Sequence, residues 1–169
     1  MIRLTSIVKR VGLLLSLVVL AGCATTQTNG AQGEFSITRT NPDTMVDPTT
    51  FGYTHVVTVN NGRIIYLAGQ GPTNIEGKNA APGDLRGQTR QAVDNILNAL
   101  AAVGAGPENI VKLRINVANY TPRKLIDIAP EISRLTAEGG KPPASILVGV
   151  KSLVLPTTLI EIETVAAIP

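Results

Sequence analysis

Apolar positions recur along this 169-residue chain with two periods, two and about 3.6, and the changes between them outline its elements. His55 to Val59 and Arg63 to Ala68 are β-rich runs separated by Asn60-Asn61-Gly62, and an Asn-Gly pair suits a type I′ turn, so the pattern predicts a hairpin. A loop with Gly71, Pro72, Gly77, Pro82 and Gly83 follows. Asp84 stands where it can cap a helix whose apolar positions are Leu85, Ala92, Val93, Ile96, Leu97, Leu100 and Val103. These recur at spacings of three and four, and Gly104 and Gly106-Pro107 stop them. Val111, Leu113, Ile115 and Val117 then alternate with Lys112, Arg114, Asn116 and Ala118, the mark of a half-buried strand.

Thr121-Pro122 starts a second helix with Leu125, Ile128, Ile132 and Leu135 on its apolar face and Gly139-Gly140 at its end. Pro130 lies inside that span and predicts a kink or a broken half. Ile146 to Lys151 and Leu159 to Ala166 complete the pattern as two strands joined by a turn around Pro156. In the last of these, Ile160, Ile162, Thr164 and Ala166 point one way, and Leu159, Glu161, Glu163 and Val165 the other.

The predicted order is β-β-α-β-α-β-β, an α+β domain with two helices on one face of a mixed sheet. Such a sheet has a second face to bury, and a chain that is 3% aromatic and rich in small aliphatics cannot cover it alone. Association through the bare face is the expected solution. About 120 residues suffice for one domain with one core.

The N-terminus changes the picture of where this domain resides. Arg3, Lys9 and Arg10 precede an apolar run from Val11 to Leu20. That run is short of the roughly 20 residues a spanning helix needs, but it suits a signal peptide. Leu20-Ala21-Gly22-Cys23 follows and resembles the lipobox of bacterial lipoproteins. The expected organisation is a signal peptide over residues 1–22, a lipidated Cys23 with a flexible or extended tether over 23–51, and a folded domain over 52–169. Cys23 is the sole cysteine, so no disulfide and no thiol chemistry are expected in the mature domain. Two or more acyl chains give stable attachment to a membrane. Ala24 replaces the Asp that would favour inner-membrane retention, so the periplasmic face of the outer membrane is the expected location.

The charge belongs largely to this leader. The chain has 15 Lys and Arg against 12 Asp and Glu, and losing Arg3, Lys9 and Arg10 leaves the two signs balanced. A nucleic-acid partner is therefore not expected, because no cationic excess remains to displace counterions from phosphate.

Few side chains remain for chemistry. One His and one Cys cannot make a zinc site. No G-x-S-x-G or phosphate-binding loop occurs, and His55 reads as a structural histidine. Glu161 and Glu163 on the last strand and the loops beside them are what is left.

Six segments in order, G52-Y-T-H55, L67-A-G-Q-G-P72, T89-R-Q-A-V-D-N-I-L97, A105-G-P-E-N-I-V-K-L113, K141-P-P-A-S-I-L-V-G-V150 and L159-I-E-I-E163, resemble the Rid family of reactive intermediate deaminases, the YjgF-like proteins. The resemblance runs from about Gly52 to the C-terminus. It implies a chorismate-mutase-like fold, a homotrimer whose sheets form a central barrel, and small-molecule clefts between subunits. It also implies hydrolysis of enamines or imines such as the 2-aminoacrylate tautomers to a carbonyl compound and ammonia, with no cofactor. On the matching positions, Glu161 would hold or activate water, and Tyr53 and the backbone of Gly69 would contact the ligand.

The chain departs from that pattern at Ser145, where the active deaminases carry the arginine that clamps the substrate carboxylate. The family's ligand-contacting asparagine on the second helix falls at Ile128. Arg114 and Lys151 are the cations that could substitute. The resemblance therefore leaves two expectations: a hydrolase of imines other than 2-aminoacrylate, or a non-catalytic small-molecule binder on the same trimeric fold.

Overall fold

The computed structural model describes residues 33–136 and 140–169. The signal peptide, Cys23 and the first part of the expected tether, to residue 32, lie outside the described residues.

Six strands and two helices follow one another as β1 (Ser36–Thr40), β2 (Val56–Asn60), β3 (Arg63–Gln70), α1 (Leu85–Ala101), β4 (Ile110–Ala118), α2 (Leu125–Ile132), β5 (Ala144–Val150) and β6 (Ile160–Ile168). The order predicted from periodicity holds from β2 onward. One strand precedes it. Residues 23–51 were expected to be a tether, yet Ser36–Thr40 pairs antiparallel with β2, and Thr49–Phe51 forms a 3-10 turn. Ordered structure thus begins ahead of Gly52. Arg39 extends from β1 to donate to the backbone oxygens of Glu108 (3.1 Å) and Ile110 (2.8 Å), tying this strand to the start of β4.

The expected hairpin is replaced by a corner. β2 pairs with β1, and β3 pairs with β6, in two separate sheets. A type I′ turn needs positive φ at both central residues, and of Asn61 and Gly62 only Asn61 (φ 50) has it. Gly62 is instead required by space, since a Cβ there would meet the Phe35 ring at 2.6 Å.

The main sheet has the order β3-β6-β4-β5. β6 is antiparallel to both of its neighbours, while β4 and β5 are parallel. β3, β4 and β5 therefore run one way, with the last strand of the chain inserted against them. β5 and β6 do not pair, so the segment around Pro156 crosses β4 rather than closing a hairpin.

One face of this sheet carries the core. Ile160, Ile162 and Ala166 of β6 and Leu113, Ile115 and Val117 of β4 pack with Ala92, Val93, Ile96 and Leu100 of α1 and with Ile128. Each fully buried aliphatic side chain contributes about 1.5–3 kcal/mol. Asp84 occupies the N-cap of α1 in extended conformation but makes no side-chain cap bond. The second helix is shorter than its apolar pattern suggests. α2 contains Pro130 and gives way to a 3-10 turn at Ser133–Leu135, ahead of the two glycines expected to end it. Leu125, assigned to its apolar face, is 44% exposed, whereas Ile128 and Leu135 are buried.

A buried carboxylate joins the helices. Glu131 of α2 accepts from Arg90 (3.0 Å) and Arg86 (3.4 Å) of α1 and from Arg134 (3.3 Å). The hydrogen bond from Arg90 is the largest cause holding the Glu131 carboxyl below the usual carboxylate range, against a desolvation effect in the opposite direction. A carboxyl whose folded value is depressed stabilises the fold fully above its unfolded value of about 4.3, and this contribution fades as pH falls through the folded value. Glu131→Gln should therefore lower the urea midpoint at pH 7, and the gap to wild type should narrow below about pH 4. Equilibrium unfolding at the two pH values checks this.

Candidate functional site

Among the described residues, the second face of the main sheet is left largely open. Ile64 (42% exposed), Tyr66 (80%) and Ile146 (50%) lie on it, around a polar strip formed by β4 and β6. Cross-strand register defines the strip: Asn116 faces Glu161, and Arg114 faces Glu163. The two glutamates that share a strand face have different surroundings. Glu163 lies 3.7 Å from Arg114 Nε and 3.5 Å from Asn116 Nδ2, while Arg114 Nε donates to Asn116 Oδ1 at 3.1 Å. Glu161 has no hydrogen bond or ion pair among the described residues. Its carboxylate is half-buried and available.

Glu161 is also where β3 departs from its ladder. Leu67 pairs with Thr164 and Gln70 with Ile162, so β3 spends one more residue than β6 across this stretch, a β-bulge at Ala68-Gly69. The Gln70 side chain donates to the Ala68 carbonyl (2.9 Å) and satisfies a group the ladder leaves open. The bulge lays the Gly69 backbone against the Glu161 side chain. A Cβ on Gly69 would lie 2.6 Å from Glu161 Oε1 and 3.1 Å from its Cγ. Glycine is needed here for approach. Gly69 and Glu161, singled out separately in the sequence, are brought together.

Tyr53 and Ser145 form a second locus. The Thr54 N–H donates to Pro143 O (3.0 Å) and the Thr54 hydroxyl to Pro142 O (2.6 Å), which fastens the Tyr53 strand entry beside the segment leading into Ser145. The Tyr53 ring meets His55 edge-on at 5.5 Å, and His55 Nε2 is hydrogen-bonded to Val46 O at 3.0 Å. His55 is a structural residue.

These loci do not meet within one protomer. Ser145 is in register with Leu113, Glu161 with Asn116, so they differ by three positions along β4 and lie on opposite faces, on strands either side of it. That separates them by roughly 10 Å along the strands and about 10 Å across them. Ser145 shares a face with the buried Leu113. Ile128, at the position of the family asparagine, is 1% exposed and belongs to the core. Of the two candidate cations, Arg114 shares the face of Glu161, and Lys151 lies beyond the end of β5. Among the described residues no group of three His, Cys, Asp or Glu is placed to hold a metal ion. Two open hollows, of about 330 and 500 Å3, border Lys141 rather than Glu161, so the site is assigned from side-chain chemistry and not from cavity size.

An α+β protomer with one bare sheet face, an available carboxylate and a tight glycine turn defines a protein of the chorismate-mutase-like class. The profile of the Endoribonuclease L-PSP family matches residues 44–168. The RutC family protein PH0854 of Pyrococcus horikoshii is 31% identical over 107 residues, covering 62% of this chain and 79% of that protein. The crystal structure of the Rid-family protein YyfB from Yersinia pestis is similar with a TM-score of 0.73 and 37% identity, over 78% of this chain and 98% of that one. The YjgF gene product of E. coli is similar with a TM-score of 0.54 and 28% identity, over 62% and 80% of the two chains. The chain belongs to the Rid (YjgF, RutC) family.

Gly69→Ala tests the central contact. Its backbone has ordinary φ and the obstructing atoms belong to the far part of a half-buried side chain, so the variant should fold, at a cost of about 1 kcal/mol. A crystal structure should show the Glu161 carboxylate displaced from its wild-type position.

Proposed function

We propose that this protein hydrolyses small imines or enamines to a carbonyl compound and ammonia, with Glu161 handling the water. One observation carries the reading: Glu161 alone of the strand pair is unengaged among the described residues, and it sits against the Gly69 backbone, where a Cβ would push its carboxylate aside. As water adds to the imine carbon, Glu161 accepts its proton. Glu161 returns that proton to the nitrogen to give the tetrahedral carbinolamine. It then relays the carbinolamine hydroxyl proton to the same nitrogen, so the C–N bond breaks and ammonia leaves as the carbonyl forms. No redox partner is needed for this balance. Tyr53 and Ser145 would contact the ligand from a second subunit, because they lie far from Glu161 in their own. A homotrimer joined through the bare face would supply that neighbour.

Ser145 sets the expected substrate apart. A serine hydroxyl offers one neutral hydrogen bond worth about 0.5–1.5 kcal/mol, against about 1.5–3 kcal/mol for a bond to a charged group. Substrates without a carboxylate are therefore favoured over 2-iminopropionate. The same two positions, Ser145 and the buried Ile128, favour the second reading, a trimer that binds a small molecule without turnover. An RNA-cleaving role, which the family description suggests, lacks support from the balanced charge of residues 23–169. The lipobox-like Cys23 supports attachment to a membrane of the bacterial envelope.

Two measurements follow. Wild type should release ammonia from uncharged imines faster than from 2-iminopropionate; Glu161→Gln should lose about 100-fold or more, and Ser145→Arg should shift preference toward the carboxylate. Turnover of no imine would leave only the binding reading. Light scattering of the chain without residues 1–23 should give a trimer mass, and a monomer would remove the shared site.

A further inference from the structure

The bulge at Ala68-Gly69 opens the β3–β6 ladder at the point where Gly69 and Glu161 must stay in contact. The ladder resumes at Gln70–Ile162, and beyond its end the two chain segments are held by a pair of side-chain amides on one helix. Gln88 of α1 is fully buried; its Nε2 donates to Thr157 O (2.9 Å) and Ala81 O (3.1 Å), and its Oε1 accepts from the Leu159 N–H (2.8 Å). Asn95, seven residues on and so on the same helix face, donates from Nδ2 to Gly71 O (3.1 Å) and Thr73 O (2.9 Å). Gln91, between them, donates to Asn95 Oδ1 (2.9 Å) and orients that amide.

The placement is symmetric about the site. Leu159 lies two residues before Glu161, and Gly71 lies two residues after Gly69. Asn79 adds a bond to Thr157 O (3.0 Å), and a Cβ on Gly71 would lie 3.6 Å from Ile160 O. None of these amides points at a ligand. Gln88 and Asn95 bind the backbone that leads into Glu161 and leaves Gly69, while Gln88 also holds Ala81 O and Asn95 accepts from Gln91.

We propose that Gln88 and Asn95 are positioning residues that set the gap between the Glu161 carboxylate and the Gly69 backbone, by holding the two chain segments where the ladder ends beside the bulge. This rests on the assignment of the Glu161 face as the site, but its test does not need turnover. Asn95→Asp keeps size and swaps two donors for an acceptor facing two carbonyls. The half-buried position tolerates the change, whereas Gln88→Met, at a fully buried one, is the second variant and removes the partner of the Leu159 amide. Asp94→Asn is the control, since it breaks the adjacent Asp94–Arg134 ion pair (2.6 Å) without touching either loop.

Amide hydrogen exchange in Asn95→Asp should quicken by about tenfold over residues 71–74, and in Gln88→Met at Leu159, with the core of α1 unchanged. Asp94→Asn should leave those amides alone. If wild type turns over an imine, Asn95→Asp should also lower kcat/KM by about tenfold with little change in Tm. Unchanged exchange at 71–74 would overturn the proposal. So would equal acceleration in Asp94→Asn, or faster exchange with turnover intact. Absence of imine turnover in wild type would count against the Glu161 chemistry and leave exchange to decide this inference.

Discussion

The last strand of the chain is hydrogen-bonded along both edges, to β3 on one side and β4 on the other, and both the core and the site hang from that double pairing. Its even-numbered residues Ile160, Ile162, Thr164 and Ala166 are buried under the helices. Glu161 and Glu163 are carried to the open face by the same pleat. A one-residue slip of β6 would send the glutamates into the core and the isoleucines to solvent, so burial of one face fixes where the carboxylates stand. The sheet cannot be completed until the C-terminus is available, because its central position is filled last in the sequence and by contacts of long range.

That double pairing also separates the two glutamates chemically. Glu163 faces Arg114 and shares it with Asn116, an exposed arrangement that contributes little to stability. Glu161 faces Asn116 but is turned toward the bulge, where Gly69 leaves room for its carboxylate and nothing more. Under the proposed function, the protomer thus presents half of a site. The other half, around Tyr53 and Ser145, is fastened by Thr54 to Pro142 and Pro143 and faces away from it. Under that function, a second copy would bring the two halves together.

The features with a strict period were legible in the sequence. The alternation of β4 and β6 and the apolar stripe of α1 appear where periodicity put them, because burial on one side leaves a repeating mark. Val103 departs from that stripe: it falls past the end of α1 and is exposed. Features set by single contacts were not. β1 sits in a Thr-, Asn- and Pro-rich stretch whose short S-I-T-R-T run has little to distinguish it from a lead-in. Asn61-Gly62 promised a hairpin, but the Phe35 ring behind Gly62 and the pairing of β2 with β1 made it a corner. Taken singly, Gln88, Asn95 and Glu131 carry no mark in the sequence that sets them apart from other polar helix positions. The i, i+7 spacing of two amides on the buried side of an amphipathic helix was the available signal for the first two. The separation of Ser145 from Glu161 could not be read without knowing that β4 lies between their strands.

The claim that one subunit supplies Glu161 and Gly69 while another supplies Tyr53 and Ser145 can be tested by mixing. Glu161→Gln and Tyr53→Ala would be purified separately, each measured for imine hydrolysis, then unfolded together and reassembled. Sites shared between subunits predict that the mixed trimers regain turnover that neither variant shows alone, since some interfaces pair an intact Glu161 with an intact Tyr53. A mixture no more active than its parents, with mixed trimers confirmed by native mass spectrometry, would contradict the shared site.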